Sequence, residues 1–365
     1  MRCKATVVVA LSLCVVAVLG RAAPAQQKNA SAGRTLRVAT WGGAWQEIRY
    51  KLAGEPLEKA TGAKVEWVPG NPVDHLAKMI AARGGEPPFD VIEMGTIETV
   101  QARELGFLEK IQRDLVPNLR KVEPAMVADD AVAFVATEYV VAYLPGKFKE
   151  LGLAPPARLE DLFHPKLKGR FALPFLGGST MGPRFLITLA VERGGGITNV
   201  GPALERLKDV QVSYYYRATS ELEMRMLAGE VLAAYWSISR PYLHKAGGKD
   251  IDYASVGPGG KKATVTLSNL AMAKGSRNKD LAHAYVDQAL SLNAQYGMAE
   301  WGGIRPVTDE GVNKVLASGN ANLRRIAETP WKDVFTIDFP PDVEIAAKNM
   351  GKWLDQFNRE VGVRR

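Results

Sequence analysis

Cysteine is almost absent: the 365 residues contain two, Cys3 and Cys14, both within the first fourteen positions. Beyond them there is no thiol, hence no disulfide framework and no cysteine metal ligand, and stability must come from a packed core. Histidine is nearly as scarce. His75, His164, His244 and His283 are scattered without the short spacing of a metal site, so no metal is expected. Catalytic signatures are missing as well: there is no G-x-S-x-G, no G-x-x-x-x-G-K-[ST], and no Rossmann fingerprint, because Gly42-Gly43 stands alone after the first strand. No cofactor and no enzymatic activity are expected. A secreted hydrolase whose triad is assembled in space is the competing class.

Long apolar runs are absent except at the start. Met1 to Lys4 carry two positive charges, Ala5 to Gly20 carry none, and Ala23-Pro24-Ala25 forms a small-residue site before a polar stretch. This is the layout of a secretory signal peptide, and its apolar part falls short of the roughly 20 residues of a membrane span. Cleavage near Ala25 would send the mature chain to the periplasm. Removing residues 1–25 removes three basic residues and takes the net charge from +8 to +5. Acids and bases are interspersed, with no block of like charge, and nucleic acid is not an expected partner. About 340 residues remain, more than one core usually serves, so two lobes are expected, in a monomer.

What is present is an alternation of strand and helix signals. Leu36 to Trp41 alternates and runs into a helical pattern at Trp45, Ile48 and Leu52; Val65 to Val68, Leu76 to Ala82, Phe89 to Gly95 and Thr96 to Leu105 repeat the order. A second set follows Tyr139–Leu144: a strand at Phe171–Phe175, a helix at Met181–Glu192, a strand at Val210–Tyr216, a helix opened by a Ser220/Glu223 capping box, and a strand at Val231–Trp236. Thr264–Ala273 is another strand. A helix then begins at Asn278 with Leu281, Tyr285 and Leu292 on one face, and the stripe Val343, Ala347, Met350, Leu354, Phe357, Val361 marks a terminal helix. The class is α/β with largely parallel sheets.

The ordered segments LRVATWGG, PLEKATGAKVEWV, LAKMIAARGGEPPFDVIEMG, ELGFLEKI, LEDLFHPKLKGRFALP, MLAGEVLAAYW and SNLAMAKGSRNKDLAHAYVDQAL resemble those of bacterial extracellular solute-binding proteins, nearest to the spermidine/putrescine-binding branch. That resemblance covers about residues 36–310. It implies a two-lobed periplasmic-binding-protein-like (type II) fold with crossing hinge strands, a small-molecule ligand clamped between the lobes, and the membrane permease of an ABC transporter as partner. After a flexible leader at 26–35, residues 36–137 and 271–305 would build one lobe, 142–266 and 307–365 the other, with hinge crossings at 138–141 and 267–270.

Ligands of such sheets sit beyond the carboxyl ends of the strands. That puts Trp41, Gly42, Gly43 and Trp45 in the cleft, with Gly95 and Thr96 at the neighbouring strand end. Trp236 stands where polyamine-binding relatives place a stacking aromatic. Ser239 and Arg240 follow it, and Arg240, Arg305 and Arg184 are candidates for an anionic group, matched by a planar fork. Ser268 and Asn269, with Thr266, replace the aromatic and acid that those relatives carry at the return crossing. The loop LGGSTMGPR has no acid, and Ile97 replaces an expected tyrosine. These departures argue for an anionic or zwitterionic ligand such as an amino acid, carboxylate or aminophosphonate. Polyamine and ferric ion are the alternatives, the latter because of Tyr214-Tyr215-Tyr216, whose alternation fits a strand better than a ligand set.

Overall fold

The computed structural model describes residues 31–177 and 181–362, so residues 1–25, expected to be a signal peptide, and part of the LGGSTMGPR loop lie outside the described residues. The strands are β1 (Thr35–Thr40), β2 (Lys64–Pro69), β3 (Val91–Gly95), β4 (Leu108–Glu109), β5 (Ala131–Tyr143), β6 (Phe171–Pro174), β7 (Tyr214–Tyr216), β8 (Ala233–Ser237), β9 (Asp252–Ser255), β10 (Ala263–Ala273) and β11 (Val334–Phe335). They form one sheet in the order β2-β1-β3-β10-β5-β8-β6-β7, with β4, β9 and β11 as side branches. Its two outer parts are parallel, β2-β1-β3 on one side and β8-β6-β7 on the other, joined by the antiparallel pair β10 and β5.

The long strands make the crossing. Residues Ala131 to Tyr139 of β5 pair with β10; from Val140 onward that edge is taken over by β9, while β8 pairs along the opposite edge. The ladder between β10 and β5 breaks register between Ser268 and Asn269. Almost every residue of β3, β5 and β10 is buried, as expected where helices cover both faces of a sheet.

Two large apolar cores flank this crossing. One gathers Leu36, Phe134, Leu267 and Tyr285; the other gathers Phe171, Leu189, Tyr235 and Trp353. Each fully buried large side chain contributes roughly 1.5–3 kcal/mol. The terminal helix Asp342–Glu360 belongs to the second core through Val343, Ala346, Trp353 and Phe357, with Ala347, Met350 and Leu354 packed at its margin.

Several local expectations change. The helix expected through Trp45, Ile48 and Leu52 is split into Gly43–Arg49, a π-turn Tyr50–Gly54 and Glu55–Thr61. Leu292 opens a separate helix, Leu292–Gly302, because Ser291 caps it and ends the run from Lys279–Ala289. The leader is fastened at its end: Arg34 forms a paired hydrogen bond to Asp280 at 2.7 Å and also reaches Asn278. The Ser220/Glu223 capping box does not form. Helix Thr219–Leu227 starts two residues earlier, with Ala218 at its N-cap and no side-chain cap.

Candidate functional site

Between the two halves of the sheet lies a cleft of about 490 Å³. The carboxyl ends of β1, β2 and β3 supply one wall, the loops after β7 and β8 the other, and Thr137, Tyr139, Thr266 and Ser268 of the crossing strands the floor. Four helices of eight or more residues begin at this cleft: Pro72–Ala81, Thr96–Glu104, Thr219–Leu227 and Ser239–Ala246. None has a side-chain hydrogen bond at its N-cap; Asp74, Glu98 and Glu221 offset the first turns of three of them, and only Ser239–Ala246 has no acid in its first turn, so its N-terminus keeps its positive character.

On the first wall, Gly42 has φ 80°, and a Cβ there would meet the Cβ of Pro69 at 2.9 Å, so only glycine lets β1 turn directly into the helix. That turn presents Trp41 and Trp45, whose rings meet edge to face at 5.5 Å. Trp45 is held from behind. Its indole N–H donates to Glu93 at 2.8 Å, and the same fully buried carboxylate accepts from Thr40 at 2.7 Å, Arg49 at 2.7 Å and Tyr285 at 3.2 Å. Arg49 also lies over Phe134, 4.4 Å from its ring centre.

On the second wall stand Arg217 and Arg240 with Thr219, Ser220, Ser237 and Ser239. Arg217 lies over the Phe175 ring at 3.7 Å and makes no ion pair among the described residues. Arg240 approaches Glu223 only at 3.8 Å, and that carboxylate is engaged by His244 at 2.6 Å. The described lining contains these two arginines and no carboxylate, lysine or histidine. Thr266, also on the lining, is 5 % exposed and its hydroxyl has no hydrogen-bond partner.

Of the residues singled out from sequence, Trp41, Gly42, Gly43, Trp45, Gly95, Ser239, Arg240, Ser268 and Thr266 line the cleft. Four others do not. Trp236 is fully buried in the second core, paired opposite Val140, because β8 continues to Ser237 and it is Ser237 that reaches the cleft. Thr96 turns away, donating to Asp338 and accepting from Arg184 at 2.9 Å. Asn269 donates to Thr99 at 3.1 Å inside the molecule. Arg305 lies behind the crossing strands, over Trp331 at 4.5 Å and donating to the Thr329 carbonyl at 2.6 Å, while its neighbour Ile304 faces the cleft. Arg184 is also internal, bound to Asp338 at 2.6 Å. The three adjacent tyrosines separate: Tyr216 donates to the Tyr235 carbonyl, Tyr214 to Glu221, and Tyr215 packs on Phe357. No group of three or more metal-ligating side chains occurs among the described residues.

Sequence reasoning missed Arg217. It follows β7 directly, at the kind of strand-to-helix loop where a cleft residue is expected.

Comparison with known proteins agrees with this architecture. A family profile described as bacterial extracellular solute-binding protein matches residues 53–321. No curated protein matches. Among solved structures, MotA from A. tumefaciens B6, in complex with glucopine, is similar at 20% identity and TM-score 0.72, covering 90% of this chain and 99% of that one. AfuA from Actinobacillus pleuropneumoniae, with fructose-6-phosphate bound, is similar at 19% identity and TM-score 0.69, covering 91% and 100%. An ABC transporter structure from Clostridium perfringens gives 22% identity and TM-score 0.67, covering 89% and 99%. These likenesses establish the periplasmic-binding-protein fold. With the profile spanning most of the sequence, the chain belongs to the family of bacterial extracellular solute-binding proteins.

Proposed function

We propose that this protein captures a small anionic or zwitterionic solute, such as an amino acid, a carboxylate or an aminophosphonate, and delivers it to its permease. Membership of the family makes the chain the substrate-binding component of an ABC transporter. The ligand class is carried by one observation: the cleft lining has Arg217 and Arg240 and no described carboxylate. A polyamine would bring several ammonium groups to a wall that cannot neutralise them. The N-terminus of Ser239–Ala246, with no acid in its first turn, adds positive character to the same space. The proposed place of work is the periplasm, after removal of residues 1–25.

Hydrolysis has less support. The lining serines and threonines have no histidine or carboxylate beside them among the described lining residues to act as base. Thermal unfolding of the mature protein, run with amino acids, organic acids, phosphonates and polyamines, tests the reading. One anionic or zwitterionic compound should raise Tm in proportion to ln(1 + [L]/Kd) and be recovered unchanged. A response confined to spermidine or putrescine, or consumption of the compound, would reject it.

A further inference from the structure

The two walls of the cleft differ in chemistry. The first offers indole rings, Ile48, backbone and the amide of Asn71; the second offers two guanidinium groups and four hydroxyls. Arg217 is exposed, yet its position is fixed by the stack on Phe175, which leaves the N–H edge of the guanidinium for another partner. Arg240 keeps most of its donors, since only Nε faces Glu223 and at 3.8 Å.

Donor capacity distinguishes the anions that suit such a wall. A monocarboxylate has two oxygens with about four acceptor positions, and one bidentate arginine already uses half of them. A second guanidinium, the hydroxyls of Thr219, Ser220, Ser237 and Ser239, and the uncapped first turns of two helices would then be left short of acceptors as the cleft closes. A phosphate or phosphonate group has three terminal oxygens, carries up to two charges, and can accept from both arginines together with the hydroxyls.

We infer that the second wall is a subsite for a doubly charged oxyanion, a phosphate monoester or phosphonate group, with Arg217 as its principal anchor and the Trp41/Trp45 pair covering the rest of the same molecule. The inference rests on the anionic-ligand reading of this cleft and narrows it. Trp41 and Trp45 present flat apolar surface on the opposite wall, which suits a ring or short carbon skeleton, and the lining residues there include no charged side chain for a second strong charge.

Matched probes test this. Phenylphosphonate and benzoate share the ring and differ in the anion; inorganic phosphate keeps the anion and lacks the ring. Their dissociation constants are measured by calorimetry on the full mature protein at constant ionic strength and mildly alkaline pH. Phenylphosphonate should bind at least about tenfold more tightly than either benzoate or inorganic phosphate, a difference of about 1.4 kcal/mol. Arg217→Met should remove most of the preference over benzoate while lowering the unliganded Tm only slightly, since Arg217 has no ion pair to lose and the methionine can still cover Phe175. Arg217→Lys, which keeps charge without the fork, should recover part of it. Equal affinity for benzoate and phenylphosphonate, no binding of phenylphosphonate, or an Arg217→Met variant with the preference intact would overturn the subsite. A monocarboxylate or amino acid found as the tight ligand would do the same while sparing the anionic reading; a polyamine would overturn both.

Discussion

Glu93 accepts four hydrogen bonds at a position with no exposed surface, from Thr40, Trp45, Arg49 and Tyr285. A buried carboxylate is tolerated only when such partners replace its water, and removing it strands the Arg49 guanidinium in the core. Glu93→Ala should therefore cost about 3–5 kcal/mol in urea unfolding. It should also weaken ligand binding, because the Trp45 indole loses the acceptor that sets its angle on the cleft wall. Glu93 carried no mark in the sequence: it sits inside an apolar strand, and its partners are Thr40, Trp45, Arg49 and a tyrosine almost two hundred positions away. The cleft glycines and tryptophans were legible because a strand ending in Trp-Gly-Gly fixes where the chain must turn. Trp236 misled for a related reason. One more residue of strand, Ser237, moves the aromatic from the cleft rim into the core, and periodicity does not resolve a boundary to one residue. Arg217 carries no such mark: it stands among many exposed arginines, and only its place directly after Tyr214–Tyr216 brings it to the cleft.

Among the elements, the helix Pro72–Ala81 forms part of the cleft rim and covers a buried histidine. His75 is 1 % exposed and meets Phe89 edge to face at 5.5 Å, with only the Val68 backbone near enough to interact with its ring nitrogens. Burial, and then the charge of Lys78, lower its pKa from 6.5, and Val68 and Asp74 oppose that shift without reversing it. Above pH 6.5 the ring is neutral in both the folded and the unfolded chain, and folding carries no proton penalty. As pH falls below 6.5 the unfolded chain takes up a proton that the folded chain refuses, so stability drops until the folded pKa is reached. The slope in that window is at most about 1.4 kcal/mol per pH unit for this one group. His75→Phe should flatten it, as read from urea midpoints measured from neutral pH downward; an unchanged slope would assign the acid sensitivity elsewhere. Helix Thr219–Leu227 shows how a local signal can be diverted. Its Ser220 and Glu223 have the spacing of a capping box, but Ser220 lines the cleft and Glu223 is drawn to His244 and Arg240.

For the molecule as a whole, the alternation of strands and helices announced two α/β lobes, whereas the piece that straps them together was not visible. Asp338 accepts from Arg184 at 2.6 Å and from Thr96 through one oxygen, and from the backbone N–H of Leu267 at 2.7 Å through the other. It thus joins a helix of the second core, the start of the helix after β3, and a crossing strand. These partners are separated in sequence by 71 to 242 positions, so no local pattern could bring them together. Asp338→Ala should destabilise the protein by about 3–5 kcal/mol, the range for breaking a buried ion pair. It should also speed hydrogen exchange at the Leu267 amide more than at other buried amides of β10. Protection of Leu267 unchanged in the variant would remove the strap from the account of the crossing.

The chain has seven tryptophans, and only Trp41 and Trp45 line the cleft, while Trp236 and Trp353 are sealed in the second core. Their emission is therefore placed where solvent is displaced when a ligand enters. The protein carries its own optical gauge of occupancy, and titrations can be followed on the unlabelled chain, with the buried indoles supplying a constant background.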